Sequence, residues 1–143
     1  MVISGRWRLC DDGMIRPTIK AAVLAANGSW YVAEFQVDIG ADRTVLHAPF
    51  LNTLGLQQMP APHQLGGVGG ATTTILVATE IRFELDDGGS VTFEGSFAGF
   101  VQPEALDMNI LGRDITNLFA VIIDKPDDVV CMLARPHRYT VTQ

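Results

Sequence analysis

Asp38 is the residue in this chain best placed for acid–base chemistry. It closes an apolar, β-prone segment, Ser29 to Val37, and is followed by Ile39-Gly40-Ala41. A carboxylate at such a strand end is partly buried, and a buried carboxylate needs hydrogen-bond partners or must keep its proton. Gly40 lets the backbone pass close by or adopt a positive φ. One such carboxylate cannot drive hydrolysis by this route, whereas two sharing a proton can. One then acts as base toward water while the other, protonated, polarises a carbonyl. Like charges a few ångströms apart cannot both ionise, which splits their pKa values. The chain offers one candidate loop of this kind, so the second carboxylate would come from a second copy across a twofold axis.

Other reactive residue types lead nowhere comparable. His47, His63 and His137 lack a His-x-x-x-His spacing and have no cysteine nearby, so no metal is expected. Asp86-Asp87-Gly88 and the run from Asp124 to Asp128 read as acidic turns, because the alternating ligands of a calcium loop are missing. Ser4, Ser29, Ser90 and Ser96 sit in no nucleophile elbow. Cys10 and Cys131 are expected to be reduced thiols. No cofactor is expected. Leu65-Gly66-Gly67-Val68-Gly69-Gly70 is a glycine-rich stretch that, taken alone, reads as a flexible surface loop.

The elements that must position Asp38 are short and β-rich. Ile19 to Ala26 and Ser29 to Val37 read as strands joined at Asn27-Gly28, a hairpin signal for a type I′ turn. In the second strand Tyr31, Ala33, Phe35 and Val37 share one face. Thr44 to Leu46 is a short run before a helix with Pro49 in its first turn, Leu51 and Leu54 inward, and Gly55 past its end. Ala71 to Ala78 is β-prone, Ile81 to Leu85 alternates, and Val91 to Phe93 returns after Asp86-Asp87-Gly88-Gly89. Phe97 to Val101 reads as a further strand, Ile115 to Leu118 as one or two helical turns, and Phe119 to Leu133 as a last hairpin. Strands at this spacing predict an all-β barrel or sandwich. The 143 residues, 48% of them hydrophobic, suit a single domain over 1–143 with one core.

Charge and hydropathy narrow the partners. A net charge of -6 argues against nucleic acid, whose phosphates need a basic surface. No apolar run reaches the roughly 18 residues of a membrane span, and the first residues lack an apolar secretory core, so a cytoplasmic location is expected.

Three segments then point to one family. Val37-Asp38-Ile39-Gly40-Ala41-Asp42-Arg43-Thr44-Val45-Leu46 resembles the active-site loop of retroviral-type, or retropepsin-like, aspartic proteases, usually Asp-Thr/Ser-Gly-Ala. Leu65 to Gly70 resembles their flap, with Val68 at its centre. Asn109-Ile110-Leu111-Gly112-Arg113-Asp114 resembles the apolar-apolar-Gly-Arg-Asn/Asp segment before their C-terminal helix. The order and spacing match over Ile19 to Leu133. The hairpin beyond Phe119 is similar to the cellular and bacterial single-domain members. The resemblance implies an all-β acid-protease barrel half with one or two short helices. It also implies a homodimer that cleaves an extended peptide, with Asp38 as catalytic residue and Gly66, Gly67, Val68, Gly69 and Gly70 over the substrate. Arg113 would pair with Asp42. Ile110 and Leu111 would line the cleft or pack beneath Asp38, and Gly112 belongs to the same segment.

Two positions depart from the pattern. Ile39 stands where the family carries Thr or Ser, whose hydroxyl locks the two loops across the dimer axis. Isoleucine keeps the β-branched shape without the polar atom. This leaves a second reading, a weak or inactive dimeric domain that binds peptides or mediates assembly. Ala41 lacks the hydroxyl that supports the ionised carboxylate in two-lobed acid proteases, which places the expected optimum at about pH 5–6.

Overall fold

The computed structural model describes residues 1–62, 65–67, 70–136 and 142, without the side chains of 65–67, 70 and 71. In chain order the strands are β1 (Val2–Ser4), β2 (Arg6–Leu9), β3 (Ile15–Leu24), β4 (Trp30–Val37) and β5 (Val45–Leu46). Helix α1 (Ala48–Leu54) and β6 (Met59–Pro60) precede the hairpin of β7 (Leu65–Gly67) and β8 (Gly70–Thr72). The long β9 (Thr74–Glu84) and β10 (Ser90–Phe100) follow, then a 3-10 turn (Pro103–Ala105), β11 (Asn109–Leu111), α2 (Arg113–Thr116), β12 (Ala120–Asp124) and β13 (Val129–Leu133).

The principal sheet runs β2-β3-β4-β11-β5-β10-β9-β6, and a further pairing of β3 with β9 closes its six inner strands into a barrel. Closure removes the open edges of those strands. The first residues, left unassigned by the sequence, form β1 and β2. β1 joins β13 and β12 in a separate three-stranded sheet, Val2 opposite Leu133. The barrel is filled by Ile19, Val23, Phe35, Leu46, Ile81 and Phe83, each at most 1% exposed. A second, smaller cluster of Val45, Ala98, Phe100 and Ile110 lies apart, with Ala41, Leu76, Ala105 and Leu106 packed against it.

The hairpin at Asn27-Gly28 forms, but its turn is not type I′. Ala25 and Ser29 pair, Gly28 N–H donates to Ala25 O at 3.0 Å, and only Gly28 has positive φ, +83°. This is a three-residue loop with glycine at the left-handed position. The same loop recurs from Cys10 to Met14 and from Leu85 to Gly89, with Gly13 and Gly88 at positive φ. In all three the Asp or Asn before the glycine accepts from the amide two residues on: Asp12 from Met14, Asn27 from Ser29, Asp87 from Gly89. That side-chain contact stabilises the turn locally.

β9 and β10 are each one continuous strand of 11 residues, where the sequence read two segments. The inward stripe of β9 is Val77, Thr79, Ile81 and Phe83, all buried. Thr79 interrupts it in sequence, yet its hydroxyl donates to Leu24 O at 2.6 Å, so the polar atom is satisfied inside. Its partner in register is Gly95, which interrupts the matching stripe on β10. Helix α1 follows the sequence expectation, with Pro in its first turn and Gly55 at φ +62° ending it. Helix α2 begins at Arg113, two residues before the expected Ile115, because Gly112 already stands at its N-cap. Among the described residues no helix is long and apolar enough to cross a membrane.

Candidate active site

β4 and β11 run parallel side by side, Leu111 opposite Val37. Their ends carry the two loops singled out by the sequence, and the loops are stitched together. Asp38 N–H donates to Leu111 O at 3.1 Å, and Arg113 N–H donates to Ala41 O at 2.8 Å. Asp38 is half-buried, and Ile39 beside it is 60% exposed at the loop tip. Gly40 N–H donates to Asp38 Oδ1 at 3.0 Å, and Ala41 N–H to Asp38 O at 3.1 Å, which folds the loop back over its own carboxylate.

Arg113 holds the same loop from the far side. Its guanidinium pairs with the Asp42 carboxylate and donates to Ile39 O at 3.1 Å. Both side chains are well exposed, 41% and 76%, and pairs of that kind contribute only about 0–1 kcal/mol. The value of the contact lies in geometry, since one planar group fixes two points of the loop.

The stronger tie involves two residues to which sequence reading gave no role. Thr44 is fully buried and donates from N–H and Oγ1 to the Asp114 carboxylate, at 2.9 and 2.7 Å. The same hydroxyl accepts from Gly112 N–H at 3.1 Å. A polar residue opening the apolar run Thr44-Val45-Leu46, and an acid in the first turn of α2, were the signals available. Gly112 must be glycine here, because a Cβ would lie 2.2 Å from Arg43 C and 2.3 Å from its carbonyl oxygen. Leu111 packs into the main core, while Ile110, 8% exposed, belongs to the second cluster beside Ala41.

A third tie joins His47 to Asn109. The amide oxygen of Asn109, a residue 1% exposed, accepts from His47 N–H at 2.9 Å and faces His47 Nδ1 at 3.0 Å. An amide oxygen only accepts, so Nδ1 carries the proton. Burial pushes the His47 imidazole below its ordinary value, an effect the Asn109 hydrogen bond and the Asp107 charge only partly offset. A lowered folded-state pKa gives stability that is complete above the unfolded value of about 6.5 and lost as pH falls below it. Stability is therefore expected to drop as pH falls below about 6.5, and His47→Gln to flatten that drop. Urea midpoints of both proteins at fixed concentration measure it; parallel losses would contradict the assignment.

Gly66, Gly67 and Gly70 lie in the β7–β8 hairpin, whose strands among the described residues pair only with each other. Val68 and Gly69, assigned to the flap by sequence, lie outside the described residues, as do His63 and His137. Cys10 and Cys131 are free thiols. Among the described residues no three His, Cys, Asp or Glu side chains come together as a metal site.

Comparison with known proteins agrees with this fold. The structure is similar to a retropepsin-like aspartic protease from Rickettsia conorii, with TM-score 0.56 and 19% identity, covering 92% of this chain and 88% of that one. It is also similar to EIAV protease complexed with the inhibitor HBY-793, with TM-score 0.53 and 24% identity, covering 71% and 86%. At these identities the likeness carries the fold, which is the retropepsin-like one. No curated protein sequence matches significantly. The family profile described as aspartyl protease matches residues 22–115, about two thirds of the sequence and all of the stitched loops from Asp38 to Asp114. The chain belongs to the aspartyl protease family.

Proposed function

We propose that the protein is an aspartic endopeptidase acting as a homodimer, with one Asp38 from each subunit forming the catalytic dyad. The observation that carries this is the Asp38 loop. It is fixed from three directions by Leu111, Arg113 and the Thr44–Asp114 contact, while among the described residues its carboxylate accepts one hydrogen bond, from Gly40. A loop so constrained, with a carboxylate so sparsely engaged, suits a group held ready for a partner from outside the chain. In the reaction the ionised Asp38 takes a proton from water as its oxygen attacks the scissile carbonyl. The protonated Asp38 of the other subunit gives its proton to the carbonyl oxygen. The tetrahedral diol then collapses, returning a proton to the departing nitrogen. Water is the nucleophile and no covalent intermediate forms. The β7–β8 hairpin, as the flap, would cover an extended peptide whose alternate side chains enter pockets.

The second reading, a dimeric peptide-binding or assembly domain with little or no catalysis, is favoured by one observation. Ile39 places an exposed apolar side chain where the loops would meet, and it has no hydroxyl to link them. Cleavage of a mixed peptide library across about pH 3–8, with sedimentation on the same preparation, separates the readings. The peptidase reading expects a dimer and a bell-shaped profile centred at about pH 5–6. A dimer that retains peptides without cutting them would favour the second reading. A profile peaking below about pH 3 would contradict the assignment of Ala41.

A further inference from the structure

We propose that Gln102 is a positioning residue that ties the base of the β7–β8 hairpin to the apolar cluster beside the active-site loop, and so sets affinity for an extended peptide. The proposal rests on the peptidase reading above for its functional half. The β9–β10 ladder ends at the pair Thr74 and Phe100. One more backbone bond follows, Val101 N–H to Thr73 O at 3.4 Å. Beyond it the Gln102 side chain continues the connection. Its Oε1 accepts from the Thr72 hydroxyl at 2.5 Å, and its Nε2 donates to Thr73 Oγ1 at 3.0 Å. Both ends of the amide are engaged, which fixes its orientation.

What lies on either side gives this contact its meaning. Thr72 is the last residue of β8, and among the described residues β7 and β8 have no strand partner in the barrel. The hairpin therefore depends on its base for its direction. On the other side, Gln102 O accepts from Ala105 N–H at 3.2 Å, closing the 3-10 turn. Ala105 and Leu106 then pack on Val45, Ala98, Phe100 and Ile110, the cluster that Ala41 also touches. One amide thus joins the hairpin to the apolar surface next to Asp38. It touches no reacting atom, so its loss should weaken substrate binding and spare the chemical step.

Gln102→Leu keeps the size and removes both bonds. Hydrogen exchange across residues 70–76 is expected to quicken by about tenfold, from two bonds of ordinary strength. KM for a library-derived peptide should rise by a similar factor with kcat within about twofold. Gln102→Glu should restore both readouts at neutral pH, since hydroxyls donate as readily as they accept and a carboxylate can accept from Thr72 and Thr73 together. Unchanged exchange and KM in Gln102→Leu, a fall in kcat at constant KM, or failure of Gln102→Glu to rescue would overturn the proposal. The exchange readout needs no turnover. A protein that cuts nothing therefore sinks the peptidase reading, while exchange alone still decides whether the tether exists.

Discussion

Asp38→Asn is expected to reduce peptide-bond cleavage by about 10²–10⁴-fold, the contribution a positioned general base commonly makes. Neither subunit then carries a carboxylate able to take the proton from water. The substitution keeps the shape of the loop, because the amide oxygen can still accept from Gly40 N–H, now at 3.0 Å from Asp38 Oδ1. The fold and the dimer should survive, so circular dichroism and sedimentation should match the native protein. Activity that persists in Asp38→Asn within about tenfold of native would remove Asp38 from the mechanism.

Thr44→Val should cost far more stability than loss of the exposed Asp42–Arg113 pair. Valine matches threonine in volume and in its branch, so packing is held nearly constant. What disappears is the hydroxyl that donates to Asp114 and accepts from Gly112 N–H. The Gly112 amide is buried and would be left without its acceptor, and a hydrogen bond to a charged group is lost as well. Together these cost about 2–4 kcal/mol. Asp42→Asn, which weakens only the exposed pair with Arg113, should cost less than half as much. Because Thr44 ties the end of the active-site loop to α2, kcat/KM of Thr44→Val should fall by about 10²-fold, as misplaced catalytic groups commonly do. Chemical denaturation at one protomer concentration measures the first effect; equal losses for Thr44→Val and Asp42→Asn would contradict it.

The sequence is informative where a local rule is strong. Helix α1 is legible from Pro49 and Gly55, and the turns at Asn27-Gly28 and Asp87-Gly88 from their glycines, whereas the one at Gly13 lies in a stretch the sequence left unassigned. The turn type is not legible, because the pairing of Ala25 with Ser29 rather than Ala26 with Ser29 is decided by the register of whole strands. β9 and β10 read as four pieces because Thr79 and Gly95 break the apolar stripes. Only the folded barrel shows that each faces the other and that Leu24 O satisfies the threonine. The loop around Asp38 and the segment from Asn109 to Asp114 stand out in sequence, but their parallel pairing across about 70 residues does not. Thr44, Asn109 and Gln102 owe their roles to partners distant in the chain, so their own neighbours in sequence give little sign of them.

In the proposed mechanism two chains share one dyad. The direct test is a heterodimer of one native and one Asp38→Asn chain, isolated through two different tags and assayed beside both homodimers. A shared dyad predicts that the native homodimer cleaves peptide and the heterodimer falls to the level of the Asp38→Asn homodimer. A heterodimer with about half the native activity would mean that each chain works alone, and would contradict the account.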